Sequence, residues 1–461
     1  MPGLFSTLSA TAGALGAETY GLDVTGQNIA NVNTPGYARR EVLLSSTPSP
    51  DQWTQGAGVQ VDGVRSTRDR LLERRLQMEQ PSVAREGAIA GALGIVEVAI
   101  GKPGASIDAR MNEFFDAASR LASDPTAPAV RQDFSLAGQN LAASFRDMTD
   151  RLSVARRDAD TQARGAVTEI NELSAQLAKL NGQLALTPAG GTQSLTLKDQ
   201  QKVALDRLAQ LIDINAIERA DGGVDLSVGG GRAIVVGTQS VSMDMTSQPP
   251  DGYVGLSMGG QAMANDEVTG GALAGYLQVR DLYVPDYQNR LNDLASQVAS
   301  QVNAIHTAGY DRAGTPGGEF FTTDPVLGAA QSIAVSQDVV DDPNLIVAAG
   351  VNAGGDNQAA RDIAALRDAK VMDGGRATLS DMWGQLTYRV GNDTRVAKEE
   401  QASRQAIVTQ VQALSDSVSG VSLDEEAMTM LRYQRAYEAN AQFFRVVDGV
   451  LATLYQMVSA T

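Results

Sequence analysis

Two apolar stripes with a seven-residue repeat lie at opposite ends of this 461-residue chain. The N-terminal stripe consists of Leu8, Leu15, Leu22 and Ile29. The C-terminal stripe consists of Leu423, Met430, Tyr437, Phe444, Leu451 and Val458, with Tyr433, Val447 and Leu454 three places further on. Because a stripe with this spacing is buried only against a partner helix, we expect the two ends to pair with each other or with neighbouring copies. The pattern indicates assembly rather than catalysis.

The N-terminal stripe lies in a predicted helix over residues 3–30 in which small residues separate the leucines. Small residues allow close helix packing, but they supply too little apolar bulk to hold a lone helix. The helix is predicted to stop near Asn31, before a turn at Asn33-Thr34-Pro35-Gly36. The last helix is predicted to begin at a capping box formed by Ser422 and Glu425.

Composition and charge exclude several classes of protein. The formal net charge is −17, so the surface as a whole is not suited to nucleic acid, and without cysteine there is no disulfide or thiolate metal site. No apolar run is long enough for a membrane span, and no standard signal peptide is visible, since the first basic residue is Arg39. One basic cluster is interpreted as a solvated helix face or an intersubunit salt-bridge site: Arg65, Arg68, Arg70, Arg74 and Arg75.

The hydrophobic pattern predicts a mainly α-helical chain with an inserted β-rich domain. We predict strands at 41–44 and 59–64, helices from 68 to 186, another helix at 198–212, and short strands between glycine turns up to 269. Helix returns at 271–307, and long helices run from 361 to the end with breaks at 373–375, Gly391 and 417–420. The predicted domains are a terminal coiled coil (1–32 with 421–461), a discontinuous helical body (33–194 with 270–420) and a β-rich outer domain (195–269).

No pattern of catalytic or cofactor-binding residues stands out. His306 is the single histidine and is interpreted as a structural or surface residue, because a histidine-rich metal site or a catalytic triad would need more partners. The Gly229-Gly230-Gly231 run and Gly101-Lys102-Pro103 lack the spacing of phosphate-binding loops and are interpreted as turns. We therefore predict no enzyme activity, no cofactor and no metal.

Residues 28–37, Asn-Ile-Ala-Asn-Val-Asn-Thr-Pro-Gly-Tyr, resemble the N-terminal signature of bacterial flagellar axial proteins. The signature positions are Asn28, Asn31, Thr34, Pro35, Gly36 and Tyr37. Further groups of residues resemble the flagellar hook-associated protein 1 (FlgK) family, and they lie within 58–69, 112–125, 169–181, 270–291, 302–321, 419–426 and 433–437.

This resemblance implies an inner coiled coil of the two terminal helices, a surrounding helical domain and an outward-facing β domain. It implies a ring of subunits at the hook–filament junction, reached through flagellar type III export. The implied partners are the hook protein, the second junction protein (hook-associated protein 3) and an export chaperone on the C-terminal helix. We expect the first stripe to pack against Met430, Tyr437, Phe444 and Leu451.

Three alternatives remain open at this stage. Another axial protein, such as hook protein or a flagellin relative, would share the signature but not the segment 270–321. A surface hydrolase on a helical scaffold would need an acidic pair in a pocket. An adhesin would use the β domain, as a secondary role of the same chain.

Overall fold

The computed structural model describes residues 2–47, 58–101, 106–188, 190–247 and 252–459. The long helices in these ranges are α1 (Pro2–Ala30), α2 (Arg70–Ile100), α3 (Ile107–Ser123), α4 (Pro128–Leu186), α5 (Thr192–Leu211), α6 (Gly271–Gln278) and α7 (Val284–Ala308). They are followed by α8 (Ala329–Ser332), α9 (Gln337–Asp341), α10 (Gln358–Ala365), α11 (Leu379–Ser419) and α12 (Leu423–Ser459). A π-helical turn, Val279–Tyr283, joins α6 to α7.

The strands form small antiparallel sheets between these helices. They are β1 (Arg40–Ser46), β2 (Val59–Ser66), β3 (Ile214–Glu218), β4 (Val224–Val228), β5 (Arg232–Val236), β6 (Gln239–Ser240), β7 (Met243–Ser247), β8 (Val254–Met258), β9 (Gln261–Met263), β10 (Phe321–Thr322) and β11 (Ala334–Val335). β1 pairs with β2, β10 with β11, β3 to β6 form one sheet in chain order, and β7 to β9 form another. The predicted fold class, mainly helical with a β-rich insert, is confirmed.

The larger core lies among α2, α3, α4, α7, α10 and α11. Its centre is an aromatic cluster in which Phe114 stacks on Phe134 with ring centroids 4.9 Å apart, and Phe320 and Phe321 contact the same ring. Aromatic side chains bury large apolar areas and prefer such offset and edge contacts. This cluster joins segments far apart in the chain, so the helical body is a single packed unit.

A second core lies beneath the two larger sheets. It combines apolar side chains of β4, β5, β7 and β8 with residues 163–180 of α4, 204–211 of α5 and 273–277 of α6. The β-rich insert is therefore packed on the second half of α4, which reaches across both cores. The predicted boundaries of the three domains stay a prediction, and this core draws on helices from both sides of the boundary at residue 195.

Two predictions about individual segments are wrong. Gly391 does not break a helix, because α11 runs without interruption from Leu379 to Ser419. The basic cluster is not one helix face either, since Arg65 lies on β2 and Arg68 precedes α2. A single glycine costs a helix only about 1 kcal/mol, and the packing of α11 on α2 offsets this.

Candidate assembly site

The terminal helices α1 and α12 pair in opposite directions. Asn28 donates from Nδ2 to Oε2 of Glu426 at 2.9 Å. Seven residues earlier on α1, Gly21 lies against the ring of Tyr433, which is seven residues later on α12. Each helix therefore advances by the same seven-residue step between the two contacts. The pairing of the two ends expected from the heptad spacing is present in the monomer.

Gly21 permits the close approach of the two helices. A Cβ atom at this position would lie 2.6 Å from the Tyr433 ring, which is closer than van der Waals contact allows. Any other residue type there requires a shift of the Tyr433 ring or of the two helices. The small residues of α1 thus have a packing role at this position, as their frequency in the sequence suggested.

The eight predicted seam residues lie along this helix pair with partial exposure. Those that are half-buried are Leu8, Leu15, Leu22, Ile29, Met430, Phe444 and Leu451. Tyr437 is 42% exposed. The more buried positions are Ala17 and Val24 on α1 and Val447 on α12, the last of which belongs to the secondary apolar series. The residue-by-residue pairing across the seam stays a prediction, and the partial exposure leaves apolar surface for a further contact.

The β1–β2 hairpin covers another side of α1. The backbone oxygen of Val59 on β2 lies 2.9 Å from where a Cβ of Gly13 would be. Val24 of α1 packs with Val64 of β2 and Leu195 of α5 in a third, small apolar cluster. The helix pair is thereby attached to the rest of the molecule by the hairpin and α5.

Asn28, the first residue of the signature, is only 1% exposed, and its side chain makes four hydrogen bonds. Its Nδ2 donates to Glu426 and, at 2.9 Å, to the carbonyl oxygen of Arg40. Its Oδ1 accepts from the Arg40 amide at 3.0 Å and from the Tyr37 hydroxyl at 2.8 Å. A buried amide must be paired to avoid a desolvation cost. Only an amide side chain supplies two donors and two acceptors here, which explains this residue type.

The remaining signature residues shape the turn that follows α1. Thr34 donates to Oδ1 of Asn31 at 3.1 Å, and the Tyr37 amide donates to the Thr34 carbonyl. Gly36 has φ +78°, where only glycine is unstrained, and a Cβ there would lie 2.5 Å from Val203. Pro35 and Thr34 are exposed. Burial raises the pKa of the Tyr37 hydroxyl above its usual value, so Tyr37 remains a neutral donor to Asn28.

An ion-pair cluster fastens α12 to this turn. Arg39 contacts Glu426 at 2.7 Å and Glu425 at 3.1 Å. Glu426 is 1% exposed, so its carboxylate is held by Arg39 and Asn28 together. From the sequence, Glu425 was predicted to belong to a capping box, and Arg39 had no predicted role. The sequence does contain one indication of a role for Arg39, because Arg39 and Arg40 are the first basic residues of the chain and come just after the signature.

A second ion-pair cluster joins the hairpin to α5. Asp199 accepts from Arg40 at 2.7 Å and also from Arg68, so one carboxylate binds the arginine that begins β1 and the one that follows β2, at the open end of the hairpin. Arg68 further contacts Glu73 at 3.3 Å and donates to the carbonyl of Gly36. The sequence pattern does not distinguish Asp199 from the many other acidic residues of the chain, since its position on a predicted helix is an ordinary one.

His306 has a structural role, in agreement with its interpretation from sequence. It is buried, its Nδ1 lies 2.7 Å from the Gly318 carbonyl oxygen, and its Nε2 accepts from the Val347 amide at 3.0 Å. Burial lowers its pKa, so the neutral form with the proton on Nδ1 is held. Within the described ranges, no group of three or more metal-ligating side chains occurs. None of the described helices is long and apolar enough to cross a membrane.

Comparisons with known proteins agree with this arrangement. Residues 8–37 match the family model of flagella basal body rod protein, and residues 413–457 match that of the flagellar basal body rod FlgEFG protein C-terminal region. These segments are α1 with the signature turn, and the end of α11 with α12. The helix pair and its signature define the class, a bacterial flagellar axial protein.

The rest of the chain narrows the class to one family. Residues 93–321 match the helical domain of flagellar hook-associated protein FlgK. The chain is 25% identical to flagellar hook-associated protein 1 of Bacillus subtilis, over 98% of both chains. It is 23% identical to the Escherichia coli protein of that name, over 97% of this chain and 99% of the relative. These comparisons agree on one family, flagellar hook-associated protein 1 (FlgK), to which the chain is similar over nearly its full length.

A solved structure supports the fold. The flagellar hook junction protein FlgK from Burkholderia pseudomallei has a TM-score of 0.68 with this chain. The match covers 75% of this chain and 100% of that one at 18% sequence identity.

Proposed function

We propose that this chain is a non-enzymatic structural subunit of the bacterial flagellum that forms the junction ring between hook and filament and is required for filament assembly. The observation that carries the proposal is the antiparallel pair of α1 and α12, fastened by the signature turn, in a chain of the hook-associated protein 1 family. A long helix pair that is incompletely buried in the monomer is suited to packing against neighbouring subunits.

The surface of α12 supports the proposed partners. Large apolar side chains lie exposed along its length, and they are Met428, Leu431, Phe443, Val446, Val450, Tyr455 and Met457. In the ring they are proposed to contact neighbouring copies, the hook protein and hook-associated protein 3. Before assembly the same surface needs cover, and we propose that an export chaperone binds it while the chain awaits type III export. The final location is extracellular, at the hook–filament junction.

The test is deletion of the gene, followed by electron microscopy of the cells and assay of the medium for flagellin. We expect complete hooks without filaments and flagellin lost to the medium. Missing hooks would place the protein in the rod or hook instead. Normal filaments would contradict the proposal.

Complementation with single variants then tests the helix pair itself. Leu15→Asp places a charge in the half-buried seam, so we expect a folded body but no filaments. The matched control is Leu186→Asp, the same change at the 89% exposed end of α4, which is expected to restore filaments. Phe444→Asp is expected to act as Leu15→Asp does. Filaments on cells carrying Leu15→Asp would contradict the role of the seam.

A further inference from the structure

One face near the start of α2 combines exposed apolar and basic side chains. Leu71 and Met78 are 74% and 72% exposed, and Arg74 and Arg75 are exposed between them. These positions, i, i+3, i+4 and i+7, share one side of a helix. Large exposed apolar residues grouped in this way are typical of a contact surface rather than of a solvated one.

The arginines of this α2 face lack acidic partners. Neither Arg74 nor Arg75 forms an ion pair with a described residue, whereas Arg70 and Lys198 both contact Glu218 at 3.3 Å. Glu218 is thus shared by Arg70 and Lys198, and Arg74 and Arg75 beside them pair with no carboxylate of a described residue. This local excess of positive charge lies on a chain whose net charge is −17.

A cleft of about 1040 Å³ opens beside the α2 face. Its walls include Arg70, Arg74 and Met78 of α2, Lys198 of α5, and the whole of β3, of which Ile217 is 61% exposed. The cleft adjoins the hairpin that covers α1, because the Val64 amide of β2 donates to Gly190 on the cleft wall. The α2 face is therefore next to the helix pair through which the chain is proposed to assemble.

We infer that the α2 face and its cleft receive an acidic surface of a second copy of this chain. Two copies with a net charge of −17 repel each other, and a positively charged contact face reduces that repulsion locally. Arg74 and Arg75 supply that charge, and Leu71 and Met78 supply apolar area around it. A contact between two unlike faces is also the type that closes identical subunits into a ring. The inference rests on the proposed function, whose ring brings the copies together.

The absence of cysteine makes a direct test possible, because one introduced cysteine is a unique attachment site. The Met78→Cys chain is labelled with a benzophenone maleimide as the purified monomer and is then assembled onto isolated hook structures from cells that lack its gene. These structures are irradiated and analysed by mass spectrometry. We expect a cross-linked dimer of this chain in which the label is joined to a peptide rich in Asp or Glu. The labelled monomer, free and dilute, is the control and is expected to give no dimer.

Charge reversal tests the role of the arginines. Arg74→Glu with Arg75→Glu in the Met78→Cys chain is expected to lower the dimer yield about fivefold, the upper range for exposed ion pairs. Arg74→Lys with Arg75→Lys keeps the charge and is expected to retain most of the dimer. Equal yields from both pairs of changes would contradict a charge-dependent contact.

The two proposals fail in different ways. A tagged wild-type chain that is absent from the isolated structures would overturn the proposed function, and this inference with it. A tagged wild-type chain that is present, with Met78→Cys cross-linked to the hook protein or to nothing, would overturn only this inference.

Discussion

Asn28 holds together four groups that belong to three segments of the chain. Replacing it with alanine leaves Glu426, the Tyr37 hydroxyl and both backbone groups of Arg40 without this partner. We expect Asn28→Ala to destabilise the attachment of α12 by about 2–4 kcal/mol, because each buried unpaired polar group costs about 1–3 kcal/mol. Hydrogen exchange of the amides of α1 and α12 measures the loss.

Asn31→Ala is the matched control for Asn28→Ala. Asn31 is half-buried, its Nδ2 donates to the Gln27 carbonyl in the last turn of α1, its Oδ1 accepts from Thr34, and water can replace both bonds. Its replacement is expected to change exchange on α12 little. An equal effect of the two changes would show that Asn28 is not a special link between the helices.

His306 gives the chain a pH dependence with a defined sign. Its pKa is lowered in the folded chain by burial, so the unfolded chain binds a proton more readily. The free energy of unfolding is therefore expected to fall as the pH drops below about 6.5, the ordinary histidine value. Because the chain has one histidine, a single substitution isolates its contribution to the slope between pH 7.5 and 5.5.

His306→Gln removes the titrating group and serves as the comparison for that slope. Denaturant unfolding of both chains at pH 7.5 and 5.5 is the measurement. The variant is expected to be less stable at pH 7.5 and to lose less stability between the two pH values. Identical losses in both chains would assign the titration to other groups.

At the scale of single residues, the sequence predicts the role of a residue only where few structural roles require that residue type. The resemblance marked Asn28 and Gly36, and the structure supplies the physical reasons, a saturated amide and a positive φ. Arg39 and Asp199 were missed because charged residues on a surface have many possible partners. Which partner is chosen depends on the tertiary fold, and no spacing rule gives it.

Two glycines of α1 have opposite expected effects on the helix pair. Gly21 faces the Tyr433 ring, whereas a Cβ on Gly16 meets nothing within 4 Å. Gly21→Ala is expected to weaken the pairing of α1 and α12 by about 1–3 kcal/mol through overpacking. Gly16→Ala is expected to stabilise α1 by about 0.5–1 kcal/mol, since alanine favours helix.

Hydrogen exchange of α1 in the free monomer distinguishes these two variants. Adding Tyr433→Ala to Gly21→Ala removes the ring that the new methyl group meets, so the double variant is expected to lose less than the sum of the single changes. Simple additivity would mean that Gly21 and Tyr433 do not limit the helix separation.

At the scale of elements, repeated patterns predicted more than single residues did. The heptads predicted α1 and α12, and the alternation of apolar residues predicted the strands β1 and β2, all of which are confirmed. The helix break predicted at Gly391 was wrong because the prediction considered only the low helix propensity of glycine and not the packing of α11. Val447 was noted in the secondary series but left out of the predicted seam, although it is the more buried residue, because both series fit one helix and the spacing alone does not rank them.

The terminal helices contribute little to the large cores of the molecule. Of the apolar residues of α1, Val24 joins only the small third cluster, and α12 joins neither of the two larger ones. We expect brief thermolysin treatment of the dilute monomer to remove parts of α12 first and to leave a stable fragment near residues 39–420. Mass spectrometry of the fragments gives the cut sites.

Assembled hook–filament structures provide the comparison for the dilute monomer. If α12 is covered by neighbours there, it is expected to resist the same treatment. Early cleavage within the helical body of the monomer, with α12 intact, would contradict the assignment of the ends as the least stable part.

At the scale of the whole molecule, the resemblance anticipated the class and the family, which the matched segments 8–37, 93–321 and 413–457 confirm. The division into three domains was harder to predict. Local patterns mark where helices and strands lie, but not that α4 runs through both large cores and gives them a shared wall.

The ion pairs of Arg39 with Glu425 and Glu426 also impose an order on events during synthesis. α1 finds its partner only after nearly four hundred further residues have been made, because that length of chain separates Ala30 from Leu423. Joining such distant segments carries a loop-closure cost and is slow relative to local folding. We therefore expect the helical body to fold first and the α1–α12 pair, the proposed assembly surface, to form only after α12 has been made.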